Sequence, residues 1–176
     1  MHAQERFGHS AVHADAHRIH RDGESMFEVE ASGVVRASPQ HAWRVLTDYE
    51  RLPMFVPDLV ESKLISRNGH EAVIEQRSQT GFLFFTLPVR MKLHIEERPM
   101  STIKVALLSG DMKHYTAHWD LEPFSQDGVE GTRIHFASTL EPNFFLPPLI
   151  GTAAVQMNVR KMVEAVTSEI ERSSAH

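Results

Sequence analysis

The 176-residue chain contains no cysteine, so disulfide bonds, thiol nucleophiles and cysteine-ligated zinc sites are excluded. No stretch approaches the roughly 18 consecutive apolar residues of a membrane span, and no apolar segment of the secretory kind opens the sequence. Lysine and arginine never cluster, and the formal net charge is -5. We therefore expect neither a nucleic-acid surface nor a polybasic membrane anchor, because both need concentrated positive charge. The missing cysteines fit a cytoplasmic protein.

Sequence signatures of common catalytic sites are also missing. There is no GxSxG, no phosphate-binding P-loop, no HExxH and no Rossmann fingerprint, so no cofactor is expected. Hydrophobic residues make up 41% of the chain, which is near the norm for globular proteins and argues against general disorder. The length fits one domain with a sizeable core.

Residues 1–25 differ from the rest, because they are polar and contain five of the twelve histidines. We interpret them as a tail before one folded domain over 26–172. Four of these histidines would share one face of a helix and could together hold Zn²⁺ or Ni²⁺: His9, His13, His17 and His20. A flexible tail with accidental spacing is the favoured alternative, since only Asp15 is at hand to complete a site. No resident metal is expected.

Alternating apolar residues predict a half-buried first strand over 27–35. Ser38 can cap a following helix, and Pro39 sits in the first turn, where proline is tolerated. Asp48 can cap a second short helix, which prolines keep short.

Further alternating segments run from residue 59 to 140. Asn68-Gly69 is a strong hairpin signal. The clearest strand covers 83–96, where Pro88 indicates an edge position or a bulge. A last helix is predicted from Pro147 to about Arg172 by apolar residues at three- and four-residue spacing. Small residues near its start are predicted to leave space beneath it.

These elements predict an α+β fold: a curved antiparallel sheet of about seven strands wrapped around the long C-terminal helix, with two short helices after the first strand. Such an arrangement often encloses an apolar hollow that can hold a hydrophobic molecule.

Several motifs resemble the START-like helix-grip (SRPBCC) superfamily, and especially its polyketide cyclase/dehydrase and coenzyme Q-binding type. The similarity covers about 26–172 and rests on five segments: 37–50, 55–57, 110–111, 119–123 and the proline-led final helix. The resemblance implies the helix-grip fold and an internal apolar cavity whose mouth is ringed by three loops. It is weak evidence for one activity, because this fold hosts carriers, cyclases and receptors.

The three mouth loops correspond to 80–84, 109–113 and 142–147, and they are unusually apolar for turns. We predict that five of their residues form a ligand gate: Phe82, Phe84, Met112, Phe144 and Phe145. The alternative is a closed lid without a ligand. Further side chains are predicted to contact the ligand: Phe85, Met91, Tyr115, Trp119, Phe136, Leu149, Ala153 and Met157. Gln76 and Ser78 could supply polar atoms inside the cavity.

By alternation, Arg90, His94, His118 and His135 face away from the apolar side, which leaves no evident catalytic set. The favoured function is therefore the binding or carriage of a hydrophobic small molecule: a lipid, a quinone or a polyketide-like compound. The alternatives are a polyketide cyclase, aromatase or dehydratase, and a protein-interaction module resembling the ribosome-associated toxins of the superfamily. Expected partners are the hydrophobic small molecule and, transiently, a membrane touched by the apolar loops, but not nucleic acid.

Overall fold

The computed structural model describes residues 12–82 and 85–174. It contains β1 (His13–Arg21), β2 (Glu24–Val35), α1 (Pro39–Thr47), a 3₁₀ helix (Tyr49–Met54), β3 (Leu59–Asn68), β4 (Glu71–Phe82), β5 (Phe85–Arg98), β6 (Thr102–Gly110), β7 (Met112–Gln126), β8 (Val129–Pro142) and α2 (Pro148–Ser174). All strands among the described residues belong to one antiparallel sheet with the order β1-β2-β8-β7-β6-β5-β4-β3. The α+β architecture of a curved antiparallel sheet and a long last helix agrees with the prediction. The two short helices were predicted after the first strand but follow β2, and the second is a 3₁₀ helix.

The sheet has eight strands where about seven were predicted, because β1 lies in the segment interpreted as a tail. Residues 13–21 pair with residues 24–32 of β2. Ala14 and Ala16 pack on the core, but alanine gives a weak hydrophobic signal beside the intervening histidines. The proposed helical histidine face is therefore wrong: on a strand, where alternate residues share a face, His13 and His17 lie opposite to His20. His9 lies outside the described residues.

Local signals around the short helices are mostly confirmed. The Ser38 hydroxyl accepts a hydrogen bond from the His41 amide at 3.1 Å, as an N-cap does. Asp48 precedes the 3₁₀ helix but makes no side-chain cap bond, so its predicted capping role is wrong. Pro88 pairs with Gln79 of β4, whereas β5 pairs with β6 only from Met91 onward. Pro88 thus lies on a locally free edge, where its missing N–H costs no ladder bond.

Helix α2 is held by an apolar stripe, as predicted, and packs chiefly on β1, β2 and α1. Val163, Val166 and Ile170 of this stripe are almost fully buried. Helix α2 rests on the end of the curved sheet formed by β1 and β2. The strands at the other end, including β4, therefore face the helix across open space. No helix among the described residues has the length and apolarity to cross a membrane.

Candidate functional site: a cavity between the sheet and the last helix

The space between α2 and the sheet is a cavity of about 310 Å³. Strand alternation supplies most of its wall, since every second residue of a strand faces the same side. On β5, five successive inward positions line it, and all are apolar: Leu87, Val89, Met91, Leu93 and Ile95. The strand with the clearest apolar face in the sequence therefore forms part of the cavity wall.

Six of the predicted ligand-contacting residues line this cavity: Met91, Met112, Tyr115, Trp119, Phe136 and Phe144. The rings of Trp119 and Phe136 lie 4.7 Å apart between centroids and are inclined by 56°, a favourable tilted aromatic pair. The strand register brings them together, because Trp119 and Phe136 are direct partners across β7 and β8.

Three other predicted residues point away from the cavity. Ala153 and Met157 lie on the exposed side of α2, and Phe145 is 84% exposed. The cavity side of the helix is instead formed by residues one position further along, among them Ala154 and Asn158. Ala153 and Met157 were predicted from the small size of the residues around them. The buried stripe, however, fixes the rotation of the helix about its own axis, and this rotation decides which side chains face the cavity. Phe84 lies outside the described residues, as do the side chains of Phe82, Phe85 and Leu149.

The small residues at the start of α2 do not all leave space, which corrects a second expectation. A Cβ atom added to Gly151 would lie 2.9 Å from Cζ of Phe27 and 3.1 Å from Cβ of Leu146. The buried Phe27 ring of β2 therefore fills the room that this glycine provides. Gly151 permits close packing of helix and sheet instead of widening the cavity.

A polar stripe runs along β4 inside the otherwise apolar wall. Gln76, Ser78 and Thr80 occupy successive inward positions and all line the cavity. The Gln76 amide donates to the buried Ser62 hydroxyl of β3 at 3.3 Å, which steadies its orientation. The inward direction of Gln76 and Ser78 agrees with the expectation, while Thr80 was not singled out. Three adjacent neutral hydrogen-bonding groups can orient a weakly polar ligand without the cost of burying a charge.

A second polar position lies on β7 and β8, where Tyr115 and Ser138 face the cavity. The Ser138 hydroxyl donates to the Thr116 carbonyl at 2.9 Å. Burial raises the pKa of Tyr115, and a hydrogen bond with Ser138 opposes that rise only in part. Tyr115 is therefore a neutral phenol at physiological pH, and its hydroxyl can turn from Ser138 to donate its one hydrogen bond to an oxygen of a bound molecule.

The end of the cavity beneath the short helices is closed by a charged network that the sequence analysis missed. Tyr49 lines the cavity and donates its hydroxyl hydrogen bond to Glu97. Two Arg67 nitrogens donate to the same carboxylate at 2.9 and 3.1 Å. Burial raises the pKa of Tyr49 far above its usual range, and Glu97 raises it further. Burial also opposes ionisation of Glu97, but the hydrogen bonds from Arg67 and Tyr49 prevail and lower its pKa.

The Gly110-Asp111 motif fixes the mouth loop between β6 and β7. Gly110 has φ +138°, and a Cβ atom there would lie 2.2 Å from the Arg90 carbonyl oxygen, so only glycine fits. Asp111 then bonds twice to β5: its carboxylate accepts from the Arg90 amide at 2.8 Å, and its own amide donates to the Arg90 carbonyl at 2.8 Å. Met112 is thereby held at the cavity wall.

The side chains of His94, His118 and His135 lie on the outer face of the sheet, as predicted. None of the described histidines or arginines lines the cavity. His94 instead lies 3.5 Å from the Glu71 carboxylate on the outer face. Of the charged residues, Asp58 and Lys161 line the cavity, and both are exposed at its rim. Within the described part of the chain, the interior therefore offers neutral hydrogen-bonding groups and no general base with a free imidazole.

Solved structures of other proteins share this architecture. The START superfamily protein from Mycobacterium smegmatis superposes with a TM-score of 0.71 at 13% identity, covering 83% of this chain and 98% of that one. The STAR-related lipid transfer protein from Xanthomonas axonopodis gives 0.72 at 14% identity, covering 89% and 93%. The ZhuI aromatase/cyclase from Streptomyces sp. R1128 gives 0.68 at 17% identity, covering 84% and 94%. At such identities these likenesses establish the fold alone.

No curated protein sequence matches the chain significantly. The profile of one family, described as polyketide cyclase / dehydrase and lipid transport, matches residues 35–167, which is most of the chain. This match agrees with the START-like resemblance of the sequence motifs and with the helix-grip arrangement of the structure. The chain belongs to the polyketide cyclase/dehydrase and lipid transport family.

Proposed function

We propose that the protein binds and carries a hydrophobic small molecule in the cavity between α2 and the sheet. The observation that carries this proposal is the cavity itself, about 310 Å³ in volume and walled mainly by apolar side chains. Ligand pockets typically measure about 300–1,000 Å³ and combine apolar walls with a few placed polar groups. The cavity lies at the lower end of that range, which favours a compact or flat ligand.

The distribution of polar groups narrows the chemistry of this ligand. Gln76, Ser78 and Thr80 form a neutral stripe on one wall, and Tyr115 offers a phenol on another. A ligand with a mostly apolar body and two or more hydroxyl or carbonyl oxygens satisfies both positions. Lipids, quinones and polyketide-like compounds meet this description. A multiply charged ligand does not, because the charged side chains of the wall lie at the rim.

Exposed apolar residues beside the start of α2 support delivery of the ligand from a membrane or another apolar surface. Phe145 is 84% exposed and Ile150 is 42% exposed, while neighbouring Phe144 turns into the cavity. Exposed apolar groups next to a cavity entrance are typical of contact surfaces. We propose that Phe145 touches the apolar surface while Phe144 and Met112 border the entrance.

A second candidate function is that of a polyketide aromatase/cyclase. The observation that favours it is the neutral Tyr115 phenol facing the cavity, since a positioned proton donor can polarise a ketone oxygen. The structural neighbours include proteins described as aromatase/cyclases as well as a lipid transfer protein. Carriage remains the better-supported function because no described histidine or arginine lines the cavity.

Ligand binding in the cavity is tested by a substitution that fills the cavity with a larger side chain. Val105 of β6 lines the cavity, and the next residue, Ala106, is exposed on the opposite face. With a polarity-sensitive apolar dye such as Nile red, we expect saturable binding that Val105→Trp weakens at least about tenfold. Ala106→Trp is the matched control and should bind like the wild type. Equal binding by all three proteins would place the dye outside the cavity and contradict the proposal.

Carriage and catalysis are separated by two further measurements. Native mass spectrometry of the protein from its own host should show a co-purified apolar molecule that Val105→Trp lacks. Tyr115→Phe removes only the phenol oxygen, so a carrier should keep its ligand, bound more weakly by about the 0.5–1.5 kcal/mol of one hydrogen bond. An aromatase should lose about 10²–10⁴-fold in turnover of a polyketone analogue while still binding it.

A further inference from the structure

Two histidines and one aspartate converge on the outer face of the sheet, on the side away from the cavity. His118 and Asp120 are two residues apart on β7 and therefore project from the same face. His135 of β8 is the direct cross-strand partner of Asp120. Sequence spacing does not reveal this group, because His135 reaches the other two only through the antiparallel pairing of β7 and β8.

The distances between these side chains suit a small metal ion. Asp120 Oδ2 lies 3.3 Å from His118 Nε2 and 3.7 Å from His135 Nδ1. One ligand atom from each of the three residues lies within 4.8 Å of the other two. With zinc bonds of about 2.0–2.1 Å, adjacent ligand atoms of a tetrahedral site are about 3.3–3.4 Å apart. Two of the three separations already approach this value, and small side-chain rotations would close the third.

Neighbouring residues hold the candidate ligands in orientation. The Thr102 hydroxyl of β6 donates to Asp120 Oδ1 at 3.2 Å, which leaves Oδ2 directed toward the two imidazoles. The other ring nitrogen of His135, Nε2, lies 3.9 Å from the Glu30 carboxylate of β2. A metal-bound histidine usually donates its second N–H to a carboxylate, and a small rotation of the Glu30 side chain would bring its oxygen within hydrogen-bond distance of Nε2. Four strands thus contribute to one arrangement.

The surroundings leave room for a further ligand. His118 is paired across the strands with Ala137, and Ala137 is paired on its other side with Glu30. Because the Ala137 side chain is small, it leaves room for that ligand on the outer face between His118 and Glu30. His118, Asp120 and His135 are all partly buried, so an ion would be shielded but reachable from solvent.

We propose that His118, Asp120 and His135 form a binding site for a divalent transition-metal ion, best fitted by Zn²⁺. Thr102 and Glu30 act as positioning residues, and the fourth coordination position is open to water or to a ligand from outside the chain. Two imidazole nitrogens and one carboxylate oxygen are donors that Zn²⁺ accepts, and three protein ligands with an open position are a common zinc arrangement. This site is separate from the cavity and does not depend on the proposed carriage.

The site is tested by titrating ZnCl₂ into the full chain in a calorimeter. We expect His118→Ala and His135→Ala each to lose one bound ion per chain, or to bind it at least about tenfold more weakly. His94→Ala is the matched control, because His94 lies on the same outer face, 3.5 Å from the Glu71 carboxylate, but no second histidine among the described residues joins it in a metal-binding group. This variant should keep the wild-type stoichiometry even if histidines near the N-terminus bind additional zinc.

The Thr102 contact provides a finer readout. Thr102→Val should weaken zinc binding by roughly tenfold, and Thr102→Ser should restore it, because only serine keeps the hydroxyl that orients Asp120. Visible absorption of bound Co²⁺ should show a tetrahedral spectrum in the wild type that both histidine variants lack. Thermal melting monitors folding of every variant. The proposal is overturned if His118→Ala and His135→Ala bind zinc as the wild type does, or if His94→Ala loses it equally.

Discussion

Beneath the cavity, the buried Glu97 carboxylate accepts hydrogen bonds from Arg67 and Tyr49, and we expect its charge to stabilise the fold. Glu97→Gln keeps the size of the side chain but removes the charge that Arg67 and Tyr49 contact. A hydrogen bond to a charged group contributes about 1.5–3 kcal/mol, and glutamine keeps part of this bonding. Arg67 is 37% exposed, so solvent screens its share. We expect a loss of about 1.5–3 kcal/mol in the free energy of unfolding.

For a chain of this length, each kcal/mol shifts the melting temperature by about 2–4 °C, so Glu97→Gln should melt about 3–12 °C lower. Urea unfolding followed by circular dichroism measures the free energy directly. Glu96→Gln is the matched control, because Glu96 is the adjacent residue of β5 and is exposed on the other face. Its change should stay within about 0.5 kcal/mol.

The effect of Glu97 also has a definite pH dependence. Its pKa is lower in the folded protein than in the unfolded chain, so its stabilisation is present above the unfolded value of about 4.3. The stabilisation is lost as the pH falls through the lowered folded pKa. The gap between wild type and Glu97→Gln should therefore be full at pH 7 and narrow progressively below about pH 4.3. Equal losses in the Glu96 and Glu97 variants, or a gap independent of pH, would refute this reasoning.

Substitutions at three further positions test close packing and helix capping. Gly110→Ala forces a Cβ atom to within 2.2 Å of the Arg90 carbonyl oxygen, so we expect a severe loss of folded protein, about 3 kcal/mol or more in urea unfolding. Gly151→Ala places its Cβ atom 2.9 Å from the buried Phe27 ring, and this overpacking, about 1–3 kcal/mol, should exceed the helix-propensity gain of about 1 kcal/mol. A melting temperature above that of the wild type would show that Phe27 yields easily. Ser38→Ala removes the N-cap bond of α1 and should cost about 1 kcal/mol by thermal melting, whereas Ser38→Asp should retain it.

The elements of the fold could be predicted because their signals are local. Ser38 and Pro39 mark the start of α1 wherever the helix packs, and strict alternation along β5 identifies a strand with one apolar face. The strand β1 was missed because it lacks such a local signal. Its core-facing residues are the small Ala14 and Ala16, and its remaining histidines and charges carry no apolar pattern.

The candidate site was predictable only in part. Met91, Tyr115 and Trp119 lie on long strands whose alternation fixes their direction, so the sequence placed them on the apolar face that lines the cavity. The prediction for Ala153 and Met157 was wrong because α2 has partly buried residues on more than one side. A shift of one position along the helix brings a different side of it to the cavity.

The sequence by itself determined the order of the elements from β2 to α2, the apolar face of the sheet and the family, since each depends on neighbouring residues along the chain. Only the tertiary structure decided how widely α2 stands from the sheet, that Phe27 fills the space above Gly151, and that Glu97 holds Tyr49. It also brought His135 beside Asp120. These features join residues distant in sequence, and their positions follow from strand register and side-chain packing, which no local pattern records.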